Sequence, residues 1–420
     1  MGVQSTIFRA ANTGRPMQSS MQLSENVRKL KPSATMAVSA LAKRLASEGR
    51  DIRDLSAGEP DFDTPAFVRE AAIRGIQTGQ TRYTPPAGTP ALRKAIAARL
   101  TERAGRDMHW EGVVVTSGAK QALFNAIFTL FGPGDEVIVP APYWTTYPDL
   151  VTIARAEPVL VMGDERKSFK ITTADLDKAV TTRTRGLVLN SPCNPTGAVY
   201  SLAEVQRIAE WARDRNVWLL SDEIYRAIYY GPEGEPAPGL LELPTSSLGP
   251  FVLIDGASKA FAMTGWRIGF TWADPELSKK FAALQSQITS NPTTPAQVAA
   301  LEAYSNVRAA NASVAEMRAA FRRRRDLVTT RMRGLLPEVP FVEPEGAFYL
   351  YFRVDGFFTA DVRDATAWCS RLLEDQGVAL VPGAAFGDDR WVRMSYAASD
   401  EVLEDALARI AASVGANSTA

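Results

Sequence analysis

Between residues 110 and 275 short apolar runs alternate with longer stretches whose apolar positions recur at helical spacing. The runs are VVVT at 113–116, EVIVP at 136–140, PVLVM at 158–162, GLVLN at 186–190, VWLLS at 217–221, FVLI at 251–254 and RIGFTW at 267–272. Short Val-, Ile- and Leu-rich runs bounded by turn formers read as strands buried on both faces. AKQALFNAIFTLF at 119–131 and SLAEVQRIAEWARDR at 201–215 carry the period of helices that cover a sheet. The order predicts an α/β sheet with crossover helices.

A helical, charged region near 296–336 leads into GAFYLYF at 346–352, a helix near 363–376, GVALV at 377–381, WVRMS at 391–395 and a closing helix near 400–413. This second pattern predicts a smaller α+β unit. The basic run Arg322 to Arg325 lies within a long helical pattern, which reads as a solvated face or a set of ion pairs rather than an RNA patch.

Charge and composition narrow the partners. Lys plus Arg and Asp plus Glu total 47 each, so no net field draws nucleic acid or acidic membrane. The expected partner is a small molecule. With one histidine, His109, and two distant cysteines, Cys193 and Cys369, neither a metal cluster nor a disulfide framework is expected, and a cytoplasmic location is. No apolar run approaches the ~20 residues that span a bilayer. Residues 1–20 are expected to form a flexible N-terminal tail.

In open α/β sheets ligands gather at the carboxyl ends of the strands. Here those ends carry Ser117-Gly118-Ala119-Lys120 opening a helix, then Tyr143 and Trp144, then Asn194 in SPCNPTG, then Asp222 and Tyr225, then Ser258 and Lys259. A helix N-terminus holds phosphate through free N–H groups and its dipole. Together the five ends supply a phosphate cradle, an aromatic face, an amide, a carboxylate with a phenol, and an amine. That inventory suits a phosphorylated aromatic aldehyde. Neither GxGxxG nor GxxxxGK[ST] is present, which argues against a dinucleotide or a nucleoside triphosphate.

Across about Leu23 to Ile410 the segments KPSATMAV, SAGEPDFDTP, TRYTPPAGTPALR, SGAKQALFN, PYWTTYPD, SPCNPTGAVY, SDEIYRAIYY, GASKAFAMTGWRIGF, SNPTTPAQ, EGAFYLYF and VRMSYA occur in order. Through them the chain resembles the class I aminotransferases of pyridoxal-phosphate fold type I, and most of all the bacterial aspartate aminotransferases. The resemblance implies a large cofactor domain at 65–306, with a mostly parallel seven-stranded sheet flanked by helices. It also implies a discontinuous smaller α+β domain from 21–64 and 307–420.

The resemblance further makes Lys259 the Schiff-base lysine for pyridoxal 5′-phosphate and Arg267 the clamp on its phosphate. Gly118, Ala119 and Lys120 then give backbone donors, beside Ser258. Asp222 pairs with the ring nitrogen, Tyr225 and Asn194 bond the ring hydroxyl, and Trp144 stacks on the ring. Arg393 binds the substrate α-carboxylate, with Asn194 and the Gly58 backbone. Tyr83 reaches the phosphate of the neighbouring subunit of a homodimer with shared active sites. Ser33, Thr35 and Lys120 lie toward the substrate side chain, and Ser286 aligns where other aspartate aminotransferases supply an arginine.

Two positions depart from the family pattern. Cys193 stands where Asn is more frequent and Gly256 where a phosphate-binding serine is. The implied reaction is ping-pong transamination between aspartate and 2-oxoglutarate. Amino transfer on aromatic substrates or prephenate, and other pyridoxal-phosphate reactions on the same fold, remain open at this point. A regulator built on the same fold is disfavoured, because about 20 residues cannot form a helix-turn-helix domain ahead of it.

Overall fold

The computed structural model describes residues 24–30, 34–232 and 234–415. The first 20 residues fall outside these. All seven apolar runs form strands: β1 Val113–Thr116, β2 Glu136–Ala141, β3 Glu157–Met162, β4 Thr184–Asn190, β5 Trp218–Asp222, β6 Phe251–Gly256 and β7 Gly269–Trp272. They lie in one sheet of order β1-β7-β6-β5-β4-β2-β3, parallel except for β7, which runs antiparallel to both β1 and β6.

Period-two alternation sends neighbouring side chains to opposite faces. Val114, Val137, Val188, Leu220, Val252 and Ile254 pack against helices Ala119–Leu130, Thr146–Ile153 and Pro275–Ile288. On the other face, Val113, Val115 and Leu253 meet helices Ala66–Gln77, Pro90–Ala104 and Thr294–Ser305, while Ile138, Leu187 and Leu219 meet Leu202–Asp214. Both faces are thereby sealed, and only the strand ends remain for a ligand.

The second pattern forms an antiparallel sheet in which Tyr349–Arg353 lies between Trp391–Ser395 and Phe341–Val342, with Val381–Pro382 at the far edge. Helices Val307–Leu335, Ala365–Gln376 and Asp400–Gly415 pack with it. Arg53–Asp54 pairs in parallel with Val378–Ala379 and brings the early chain to this unit. The basic run resolves into ion pairs. Arg324 is buried and grips Asp61 through two bonds of 2.7 and 2.8 Å, and Arg323 meets Asp400 at 3.2 Å. Among the described residues no helix is long and apolar enough to cross a membrane, and no group of three or more His, Cys, Asp or Glu could hold a metal ion.

Candidate active site

At the carboxyl edge of the sheet a cavity of about 440 Å³ opens between the sheet, the small unit and helix Ala34–Ser47. Asp222 ends β5 and is buried there, accepting from the Tyr147 phenol at 2.6 Å and from the Ile224 amide at 3.2 Å. Burial raises its carboxyl from 3.8 to about 6, against the opposing pull of the Tyr147 hydrogen bond. Asn190 ends β4. Its side chain donates to the Asp222 carbonyl at 3.0 Å and accepts from the Asn194 amide at 2.9 Å, so two strand ends and the SPCNPTG loop hold one another.

Lys259 stands on the single turn Ala257–Ala260 after β6, and its amine donates to the Gly58 carbonyl. Desolvation disfavours the charged form and lowers the amine from 10.5 to about 8, with the Glu59 carboxylate pulling the other way. Gly256 precedes this turn because the backbone closes tightly there. A Cβ at Gly256 would lie 2.8 Å from Gly269 Cα, so a serine does not fit this backbone.

The other basic groups converge from different elements. Arg393, on the strand Trp391–Ser395, is 2% exposed. It donates to Asn194 Oδ1 at 2.9 Å and to the Ser56 carbonyl at 2.8 Å, while its Nε has no partner. The Tyr349 ring lies 4.3 Å from its guanidinium, and the Tyr349 hydroxyl shares a 2.7 Å hydrogen bond with Tyr225.

Arg267 precedes β7 rather than beginning it. At φ +56° the chain turns there, which sends the guanidinium to the Thr264 carbonyl at 2.8 Å and the Ser117 carbonyl at 3.4 Å. Gly118 has φ +84°, and a Cβ on it would lie 2.3 Å from that guanidinium. Glycine thus lets the start of helix Ala119–Leu130, with its unpaired N–H groups, close onto Arg267. From the first turn of that helix, the Lys120 ammonium lies 5.1 Å from the centre of the Trp144 ring.

Of the residues expected from sequence, Thr35, Gly58, Ala119, Lys120, Trp144 and Asn194 line the cavity, as do Asp222, Tyr225, Ser258, Lys259, Arg267 and Arg393. Gly118 abuts it through Arg267. Tyr83 is 90% exposed and Ser286 donates to the Ala283 carbonyl at 2.7 Å; neither lines the cavity of its own chain. Ser33 lies outside the described residues.

The sequence reading missed Tyr147, Asn190, Glu59, Thr264 and Tyr349, which also line the cavity. Tyr147 stood one helical turn beyond Trp144 and Asn190 closed the β4 run, so a helical and a strand-end signal existed for two of them. Thr264 donates to Glu59 at 2.8 Å, a contact across distant segments that local pattern does not encode.

The family model described as aminotransferase class I and II matches residues 50–410. The chain is 43% identical over 397 residues to the aspartate/prephenate aminotransferase of Cereibacter sphaeroides, covering 93% of this chain and 98% of that one. It is 41% identical over 391 residues to the aspartate aminotransferase of Geobacillus stearothermophilus, covering 93% and 98%. The solved structure of aspartate aminotransferase from Thermus thermophilus with maleate superposes with a TM-score of 0.87 at 42% identity, covering 93% of this chain and 99% of that one.

Proposed function

The chain belongs to the class I and II aminotransferase family, and we propose that it moves an amino group from aspartate to a 2-oxo acid, 2-oxoglutarate being the favoured acceptor, with pyridoxal 5′-phosphate as cofactor. The observation that carries the assignment of amino acids and 2-oxo acids as the substrate class is Arg393, and the relatives named aspartate aminotransferase support aspartate among them. A guanidinium buried to 2% exposure with no carboxylate partner among the described residues, and with Nε unmet, is stable only if an anion joins it. A planar fork suits the α-carboxylate shared by all amino acid and 2-oxo acid substrates.

The cavity fits the cofactor. Its phosphate would be held by Arg267 and the free N–H groups behind Gly118, where a Cβ would crowd the Arg267 guanidinium. Asp222 would hold the ring nitrogen, Tyr225 and Asn194 the ring hydroxyl, and Trp144 the ring face. When bound, the cofactor supplies the carbonyl that takes the amino group and a ring that withdraws electrons from the substrate Cα.

The chain's own residues do the rest. Lys259, with an amine lowered to about 8, is close enough to neutral to take the Cα proton near physiological pH and return it. Its N–H bond to the Gly58 carbonyl holds the amine against one wall of the cavity. Asp222, kept in place by Tyr147 and the Ile224 amide, supplies negative charge in a water-poor site. Arg393 fixes the α-carboxylate and so orients Cα.

The same reading includes a cytoplasmic homodimer with shared active sites. The exposed Tyr83, an aromatic side chain outside its own cavity, supports it, and so do two free thiols. A second reading, amino transfer on aromatic substrates or prephenate, is supported by Lys120, a point charge without a bidentate fork and set against the Trp144 ring. A panel of amino donors with 2-oxoglutarate, followed through the absorbance of the bound cofactor in single half-reactions, separates the two. Aspartate reacting fastest upholds the main reading, and phenylalanine or tyrosine reacting faster replaces it with the second.

A further inference from the structure

Phe169 comes from the loop between β3 and helix Thr173–Ala179, yet it is buried against the antiparallel sheet that carries Arg393. The other buried residues of its cluster are Val342, Tyr351, Val381, Phe386 and Trp391, all from that second unit. The Phe169 ring meets Trp391 edge-on at 5.1 Å and Tyr351 edge-on at 5.9 Å, while Tyr351 and Trp391 stack at 5.1 Å. Side chains alternate between faces along a strand, and residues directly opposed on neighbouring strands share a face. Trp391 and Arg393 lie two apart, and Tyr351 and Val381 are the partners of Arg393 on its two neighbouring strands. All four therefore stand on the face that Phe169 covers. Phe386 completes it, 6.2 Å from the Tyr351 ring and 5.1 Å from the Arg393 guanidinium.

The loop is built to hold this ring in place. Ser168 and Phe169 have φ +54° and +60°, a left-handed backbone that residues with a Cβ rarely adopt and that persists only where the surroundings impose it. The Lys167 and Phe169 amides both donate to the Asp164 carbonyl at 2.9 Å. Glu165, in the same loop, accepts from Arg353 at 3.1 Å and lies 3.8 Å from Arg390. Arg353 ends the strand of Tyr351 and Arg390 immediately precedes the strand of Arg393, so the loop is tied to both strands as well as to their shared face.

We propose that Phe169 is a positioning residue: by filling the face beside Tyr351 and Trp391 it fixes where Arg393 lies, and through Arg393 where the substrate α-carboxylate binds. The two hydrogen bonds of Arg393, to Asn194 and to the Ser56 carbonyl, hold the tip of the side chain, whereas its strand and the rings around it are held by packing. Removing the Phe169 ring leaves space beside Tyr351 and Trp391, and close-packed neighbours relax into such space. The guanidinium then shifts relative to Lys259 and Asp222, which stand on the large sheet. A small displacement of a group that orients the substrate is costly in rate.

The proposal rests on the reading of Arg393 as the α-carboxylate partner. Its test measures kcat/KM for aspartate and phenylalanine in the full-length, cofactor-loaded enzyme and in Phe169→Leu, Arg393→Ala and the double variant, with Phe352→Leu as control. Phe352 is also buried, but it follows Tyr351 on the strand and packs on the opposite face. Phe169→Leu should lower kcat/KM on the order of 10-fold for both donors and by less than about 2-fold in the Arg393→Ala background, as for residues coupled through shared neighbours. Phe352→Leu should lower the melting temperature comparably and leave kcat/KM unchanged. Phe169→Met, which nearly keeps the volume but not the ring, is read in the same way if the leucine variant does not fold. Unchanged kcat/KM in the Phe169 variant, or a loss confined to one donor, overturns the role of Phe169 while a loss in Arg393→Ala keeps that arginine in place. An equal loss in both backgrounds, or one matched by Phe352→Leu, makes Phe169 part of the core only and also overturns it. No loss in Arg393→Ala removes the reading of Arg393, and the proposal with it.

Discussion

The Tyr147 phenol donates to Asp222 across 2.6 Å, linking the helix behind Trp144 to the end of the central strand. This bond stabilises the ionised carboxylate and opposes the burial that raises it, the two together leaving it at about 6. Tyr147→Phe removes the bond but keeps the ring. The Asp222 carboxyl then moves further up, so it protonates earlier as pH falls, and the acid limb of kcat/KM shifts to higher pH. A hydrogen bond to a charged group contributes ~1.5–3 kcal/mol, so the shift is about one unit or more. An unchanged acid limb would show that Asp222 does not control it.

Lys259 is titrated most directly in the cofactor-free chain. Its amine, lowered by burial to about 8, becomes nucleophilic more than two units below an ordinary lysine. Acetylation at limiting reagent, read by peptide mass spectrometry, should give Lys259 a half-maximal rate near pH 8 while the exposed Lys279 still climbs at pH 10. Parallel profiles for the two lysines would mean that the amine is not desolvated. Lys259→Ala should remain folded and bind cofactor through the phosphate and ring contacts, with no turnover.

Gly118→Ala asks for two things at once. It places an L side chain at φ +84° and a methyl 2.3 Å from the Arg267 guanidinium, which must move away from the helix start. Cofactor affinity should fall by about 5- to 150-fold, as expected for strain of ~1–3 kcal/mol at one backbone position. Fluorescence titration of the cofactor-free variant measures it, and wild-type affinity would mean that Arg267 and the helix start do not form the phosphate cradle.

Cys193 lines a small cavity of about 20 Å³ beside Tyr147, Asn190 and Tyr200. Burial raises its thiol, which keeps it from acting as a nucleophile. Cys193→Asn should therefore leave kcat/KM within about 3-fold for each donor, a change of less than ~1 kcal/mol. Abolished activity would give this position a role in the reaction.

The sheet was legible because its strands, apart from the partly exposed edge strand β3, are buried on both faces and so read as continuous apolar runs, with little amphipathic ambiguity. The site was legible where it follows a strand end, as at Asn194, Asp222 and Lys259. What escaped is tertiary. The Arg267 run looked like one strand from 267 onward, yet Arg267 itself takes a left-handed turn to reach Ser117. Asn190 looked like the polar stop of a strand and proved to bond both Asp222 and Asn194. Gly256 looked like a lost phosphate contact, whereas the approach of Gly269 leaves no room for a side chain.

Arg393 is the residue whose replacement tests most of the assignment at once. Its two bonds go to a side-chain amide and a backbone carbonyl, neither of which neutralises a buried charge, and Tyr349 stacks beneath it. Arg393→Ala removes the anion's partner and should raise KM for every amino donor, because all share the α-carboxylate. Breaking a buried charge-assisted pair costs ~3–5 kcal/mol, so kcat/KM should fall by a factor on the order of 100 to 1000 or more. Arg393→Lys keeps the charge but not the fork, and should recover only part of the loss. The two variants therefore rank Ala below Lys below wild type for aspartate, glutamate and phenylalanine alike. A loss confined to the two acidic donors would move Arg393 to the substrate side chain, and the α-carboxylate would then need another partner.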